Sequence, residues 1–173
     1  MKHVIALIAA AAILARASAA VAAAAPTDPQ IAHIAYTAGS LDVAAGKQAL
    51  ARSHDKAVRG FAEEMVRDHQ AVNVKALDLV KKLHVTPEDN ATSQGLTKAA
   101  QATSERLAKL SGAAFDKAYI DNEVAYHKAV NAALETTLIP SAKNAELKSL
   151  LQTGLTLFRE HQMHAEQIAK GLK

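Results

Sequence analysis

The sequence predicts an all-α protein, an antiparallel four-helix bundle with a short extra crossover helix. Three observations predict it. Alanine and leucine dominate the composition, with only 7 Gly and 4 Pro in 173 residues, which favours helices and supplies enough chain for one substantial core. Apolar residues recur at steps of three and four along four long segments. The breaks between them are short, as at Ser53-His54-Asp55 and Ser111-Gly112, and short connections join antiparallel neighbours.

The first residues read as a leader rather than part of the bundle. Lys2 and His3 precede an apolar run from Val4 to Leu14, and small residues follow from Ala17 to Ala25. That order is the pattern of a secretory signal peptide. The run has about half of the roughly 20 residues that a bilayer span needs, and Arg16 interrupts it. Cleavage between Ala19 and Ala25 is expected, leaving residues 26–173 as a single helical domain in the periplasm or outside the cell.

Loss of residues 1–25 removes Lys2 and Arg16 but no acid, so 18 basic residues face 17 acidic ones, a formal charge of +1. No basic cluster is interleaved with aromatics, which argues against a nucleic-acid partner. The absence of cysteine excludes disulfides, thiolate metal sites and a lipid-modified N-terminal cysteine together. No transmembrane segment is expected in the mature chain.

Thr27 or Asp28 caps a first helix, with Pro29 in its first turn, that runs to about Ala51. Its apolar arc contains Ile31, Ile34, Ala38, Leu41, Ala45 and Ala49, and Asp42 falls inside it. The second helix spans Asp55 to His84. Val58, Met65, Val72 and Leu79 recur every seven residues, and Ala62, His69, Ala76 and Leu83 form a second row offset by four. His69 sits in the middle of that seam, Asp68 lies at its rim, and Glu63, Glu64 and Arg67 point away. A loop with Pro87 follows, and Thr86 caps the turn into a third helix over about Thr92–Leu110, with a weaker apolar pattern that suits a crossover packed outside.

The fourth helix runs from about Ala113 to Leu138, and Pro140 bars its simple continuation. Glu123 and His127 fall on its inward arc with Phe115, Tyr119, Val130 and Leu134. The fifth, Asn144–Leu172, turns Leu147, Leu151, Leu155, Phe158 and Ile168 inward. His161 lies near the centre of that face; His164 lies at its edge, where Glu160 at i, i+4 is the expected partner.

Four long helices thus each carry a polar, metal-capable side chain into an apolar seam: Asp42, His69, Glu123 with His127, and His161. Imidazole nitrogen and carboxylate oxygen suit Zn, Cu, Fe or Mn, and bundle cores build such sites from facing helices. Counting about 1.5 Å per residue from the tight connections puts Asp42 and His127 roughly 16 Å down, Glu123 about 22 Å, and His69 and His161 about 24–26 Å. The compact group on that count is His69, Glu123 and His161, with Asp42 and His127 in a neighbouring layer or merged by one turn. Asp68 is expected to orient His69 or to pair near Arg67. The competing reading is a structural polar network that fixes helix register.

Three runs, GKQALARSHDKAVRGFAEEMVRDHQAVN, FDKAYIDNEVAYHKAV and LKSLLQTGLTLFREHQMHAEQIA, resemble a bacterial family of exported, ferritin-like four-helix proteins of unknown function, often labelled putative membrane or outer-membrane proteins. The matching positions are Asp68-His69, His127 and His161, and Asp42 stands where that family usually has Glu. The resemblance implies the fold and export, and no activity. A di-iron centre uses Glu from two helices and Glu-x-x-His from two others; the inward set here is histidine-rich and has no such pair. The function expected is therefore non-enzymatic binding of a transition metal, Zn or Cu over Fe, for metal handling or envelope stress tolerance. The alternatives are an interaction or chaperone-like envelope module with a purely structural polar core, and a di-metal oxidase-type enzyme.

Overall fold

The computed structural model describes residues 24–172, so the proposed leader lies almost entirely outside the described residues. The described chain is a helical bundle without strands: α1 (Asp28–Arg52), α2 (Lys56–Lys82), α3 (Ala91–Leu107), α4 (Gly112–Ala133), a π-helical turn (Leu134–Leu138), α5 (Ile139–Ser141) and α6 (Ala145–Gly171). None of these helices is long and apolar enough to cross a membrane.

Local chemistry sets most boundaries. Thr27 is the N-cap of α1, and its N–H donates to Gln30 Oε1 (3.1 Å). The Asp55 carboxylate accepts the Ala57 and Val58 N–H groups (2.9 and 3.0 Å), which starts α2. Asn144 does the same for α6 through Glu146 and Leu147. Asn90, rather than Thr86, caps α3: its side-chain oxygen accepts Thr92 and Ser93 N–H at 3.1 Å each. α2 stops at Lys82 because His84 takes a left-handed φ of 52°.

The continuation past Leu138 departs from the sequence reading. Helical chain passes through Pro140 to Ser141 because the preceding turn is widened to π geometry, with the Ile139 N–H donating to Leu134 O. An i→i+5 turn removes the carbonyl contact that a proline ring otherwise meets in an α-helix.

The principal pairs are α1 on α2 and α4 on α6; α2 also meets α6, and α1 meets α3 and α4. Gly46 lets α1 and α2 approach, since a Cβ there would sit 3.0 Å from Ala62 O and 2.9 Å from Val66 Cγ2. Two tethers fix the ends. Asp28 accepts the Lys143 and Asn144 N–H groups at 2.8 Å each. Arg52 Nη2 donates to the Ala108 and Leu110 carbonyls at 2.9 and 2.6 Å, tying α1 to the end of α3.

Buried apolar side chains form two clusters. One gathers Val58, Phe61, Met65, Phe115, Tyr119 and Ile120; the other gathers Ile31, Ile34, Leu134, Leu151, Leu155 and Phe158. α3 adds little, burying only Ser93 and Leu107. Into this apolar interior the four long helices carry Asp42, His69, Glu123, His127 and His161, all buried.

Candidate metal centre

The heptad rows put His69 on the buried stripe of α2, and the same periodicity sends Asp42 inward from α1, Glu123 and His127 from α4, and His161 from α6. The three imidazoles form a triangle with ring-centre separations of 5.3 Å (His69–His161), 5.5 Å (His127–His161) and 5.7 Å (His69–His127). One donor nitrogen from each lies within 4.8 Å of the others. Asp42, Glu123 and His127 meet the same condition, so His127 joins an imidazole face to a carboxylate face.

All five residues are thus in one assembly, the merged alternative, with His127 completing the compact group where the depth count put Glu123. Asp42 Oδ2 lies 2.7 Å from His69 Nε2 and 3.4 Å from His127 Nε2, despite the roughly 8–10 Å of depth that a count of 1.5 Å per residue put between Asp42 and His69. That count took the two connections as level and the helices as parallel. Asp42 and His69 flank the same connection, and the helix ends at Arg52 and Lys56 leave ten and thirteen residues to them, a difference of only about 4–5 Å in rise, which the crossing of packed helices helps to cover. The aspartate side chain is long enough to reach the imidazoles.

Hydrogen bonds at the rim fix the tautomers. His127 Nδ1 lies 3.0 Å from the Glu123 carbonyl oxygen, which can only accept, so Nδ1 carries the proton and Nε2 presents a lone pair. His161 Nε2 lies 3.1 Å from Asp68 Oδ2, so Nε2–H donates and Nδ1 is bare. Those two lone-pair nitrogens, and both ring nitrogens of His69, are buried without a hydrogen-bond partner. The 2.7 Å approach of Asp42 to His69 is close enough for an ion pair, but the oxygen lies off the direction a hydrogen bond requires, so proximity rather than a directed bond describes it. Unpaired donors and acceptors in an apolar core are costly. Lone pairs converging on a carboxylate are the arrangement that a cation relieves.

The electrostatics agree. Burial by itself would raise the Asp42 carboxyl, but His69 and His127 beside it outweigh that, and its net shift is downward, toward the carboxylate. Burial, reinforced by the Asp42 charge, pushes Glu123 well above the ordinary range, so the two acids share one negative charge. Burial lowers His127 to about 4. It lowers His161 as well, against the pull of Asp68. With Asp42 held toward the carboxylate and His127 and His161 held toward neutral imidazole, these three groups favour the ligating state near neutral pH.

A tetrahedral ion with Zn–N bonds of about 2.0–2.1 Å needs donors about 3.3–3.4 Å apart. The imidazole donors meet this with inward movements of no more than about 1.5 Å from their 4.8 Å limit. His69, His127 and His161 offer three nitrogens, and Asp42 and Glu123 add carboxylate oxygens beside His127, donor types that could hold a transition metal.

Other expectations change at the rim. Asp68 orients His161, not His69, while holding Arg67 at 2.7 and 3.0 Å. His164 pairs with Glu64 of α2 (Nδ1–Oε2 2.7 Å) rather than with Glu160. Glu64, expected on the outer face, is half-buried and meets Asp68 and His161 in a third, more open group. Three further residues shape the site. Phe158, read as ordinary core, stacks on His69 at 4.6 Å and 12°. Asn131 is buried and donates to Phe158 O and Gln162 Oε1 (3.3 and 3.0 Å); its i+4 spacing from His127 on the inward face was the available signal. Tyr126 donates to Ala38 O at 2.8 Å, bracing α4 against α1.

Fold and site together define a helical bundle with a buried histidine–carboxylate cluster equipped to hold a metal. The chain belongs to the family described as Domain of unknown function (DUF4142), whose model matches residues 14–168. No curated protein and no solved structure matches it.

Proposed function

We propose that the protein binds a transition-metal ion, Zn or Cu in preference to Fe, through His69, His127 and His161, with Asp42 closing the site and Glu123 adjoining it. One observation carries this reading: the outer N–H of His127 and of His161 is anchored by an acceptor, and each inner nitrogen is left bare in the core. That is how outer hydrogen bonds orient ligating imidazoles. The role is non-enzymatic metal handling or envelope stress tolerance. Export to the periplasm or beyond rests on the leader pattern of residues 1–25, and a ferritin-like, antiparallel four-helix arrangement on the pairing of α1 with α2 and of α4 with α6.

Metal analysis of the purified protein, followed by titration of the chelator-treated form, tests the reading. One equivalent is expected, and a His69→Ala, His161→Ala double variant should lose it; unchanged uptake in that variant refutes the site. A second reading, a dinuclear oxidase-type centre, draws on the membership of His127 in both ligand groups. It requires two metals per chain and oxygen-dependent turnover, so a one-metal stoichiometry dismisses it. An interaction module with a purely structural polar core predicts no specific uptake.

A further inference from the structure

An apolar cleft of about 660 Å³ opens beside the histidine cluster. It exists because α1 meets α4 much less closely than it meets α2 and because facing positions are small: Ala35, Ala38 and Gly39 on α1, Ala129 and Ala133 on α4, and Gly154 on α6. The rest of the wall is mostly aliphatic, with Phe158 beneath. Among the described residues no Asp, Glu, Lys or Arg lines it, and the one imidazole in the lining belongs to His69, whose buried ring nitrogens lack a hydrogen-bond partner.

We propose that this cleft binds a neutral, mainly hydrocarbon small molecule whose single hydroxyl or carbonyl head hydrogen-bonds to His69. The volume falls within the roughly 300–1,000 Å³ of small-molecule sites. A charged head finds no countercharge in the lining and loses its hydration on entry. An apolar body gains by leaving water, and one unpaired imidazole suffices to orient one oxygen. His69 Nε2 faces Asp42 at 2.7 Å, which leaves Nδ1 for the cleft, so the cleft adjoins the proposed metal centre and shares His69 with it.

The test uses the full, chelator-treated chain, the neutral fluorophore N-phenylnaphthylamine as reporter, and decanol as competitor. Fluorescence should rise on mixing, and decanol should displace the reporter at least about tenfold more effectively than decanoate. Ala133→Phe, which fills the cleft from an exposed position, should weaken uptake by about tenfold or more, while Ala125→Phe, exposed on α4 but outside the cleft, should leave it within about twofold. His69→Phe keeps a ring stacked on Phe158 and should retain the reporter while losing the preference for decanol over decane. No fluorescence rise, equal loss in both phenylalanine variants, or stronger displacement by decanoate would overturn the proposal. So would a dimer in sedimentation that Ala133→Phe dissociates without any decanol uptake. Ala133→Phe should still bind metal as the parent does, which separates failure of the cleft from failure of the metal site.

Discussion

The depressed basicity of His127 makes the metal-free protein acid-sensitive over a defined window. Its folded pKa is about 4 against an ordinary 6.5, chiefly because burial disfavours the imidazolium. Above pH 6.5 neither state holds that proton, and the group costs nothing. As pH falls below 6.5 the unfolded chain takes up a proton that the folded chain refuses until about pH 4, so stability declines across that interval. A shift of about 2.5 pH units at 1.36 kcal/mol each corresponds to about 3 kcal/mol by pH 4. At about 2–4 °C per kcal/mol for a chain of this size, the midpoint should drop by about 10 °C. The assay is thermal unfolding of chelator-treated protein followed by circular dichroism between pH 7.5 and pH 4. His161 and the carboxylates titrate as well, so the quantity to compare is the difference from His127→Asn, which removes the imidazole. The variant should show the shallower pH dependence by about that amount. Parallel curves for parent and variant would refute the burial argument.

Other substitutions probe neighbouring links. Glu123 is held protonated, so its stabilising state is full below about pH 4.5 and is lost as pH rises toward its elevated folded value; Glu123→Gln should therefore raise the metal-free melting temperature at pH 8, and a fall would show that the carboxyl is ionised and satisfied. Gly46→Ala forces a Cβ against Ala62 O and Val66 and should cost about 1–2 kcal/mol in urea unfolding, helix propensity offsetting part of the clash; an unchanged or higher midpoint would contradict the close α1–α2 approach.

Elements set by local chemistry were legible before the structure. The helix starts at Asp55 and Asn144, the short 53–55 connection and the heptad rows of α2 appear in the residues themselves, and with them the inward placement of His69. The inward positions of Asp42, Glu123, His127 and His161 follow from the same periodicity. Relations between helices were less legible. Whether His164 meets Glu160 or Glu64 depends on how α6 is rotated against α2, which no single-helix pattern specifies. The shared level of Asp42 and His69 depends on how α1 crosses α2 and on where the two helices end at Arg52 and Lys56, both outcomes of packing. Phe158 looked like core because its spacing is that of core; only the parallel face of His69 makes it part of the site.

The central claim is that three imidazoles from three helices hold one ion. X-ray absorption at the metal edge of protein loaded with one equivalent of Zn tests it most directly, and the account predicts a first shell with three nitrogens at about 2.0–2.1 Å, carrying the multiple-scattering signature of imidazole, and one carboxylate oxygen. An all-oxygen shell, or one unchanged by His69→Ala with His161→Ala, would contradict it.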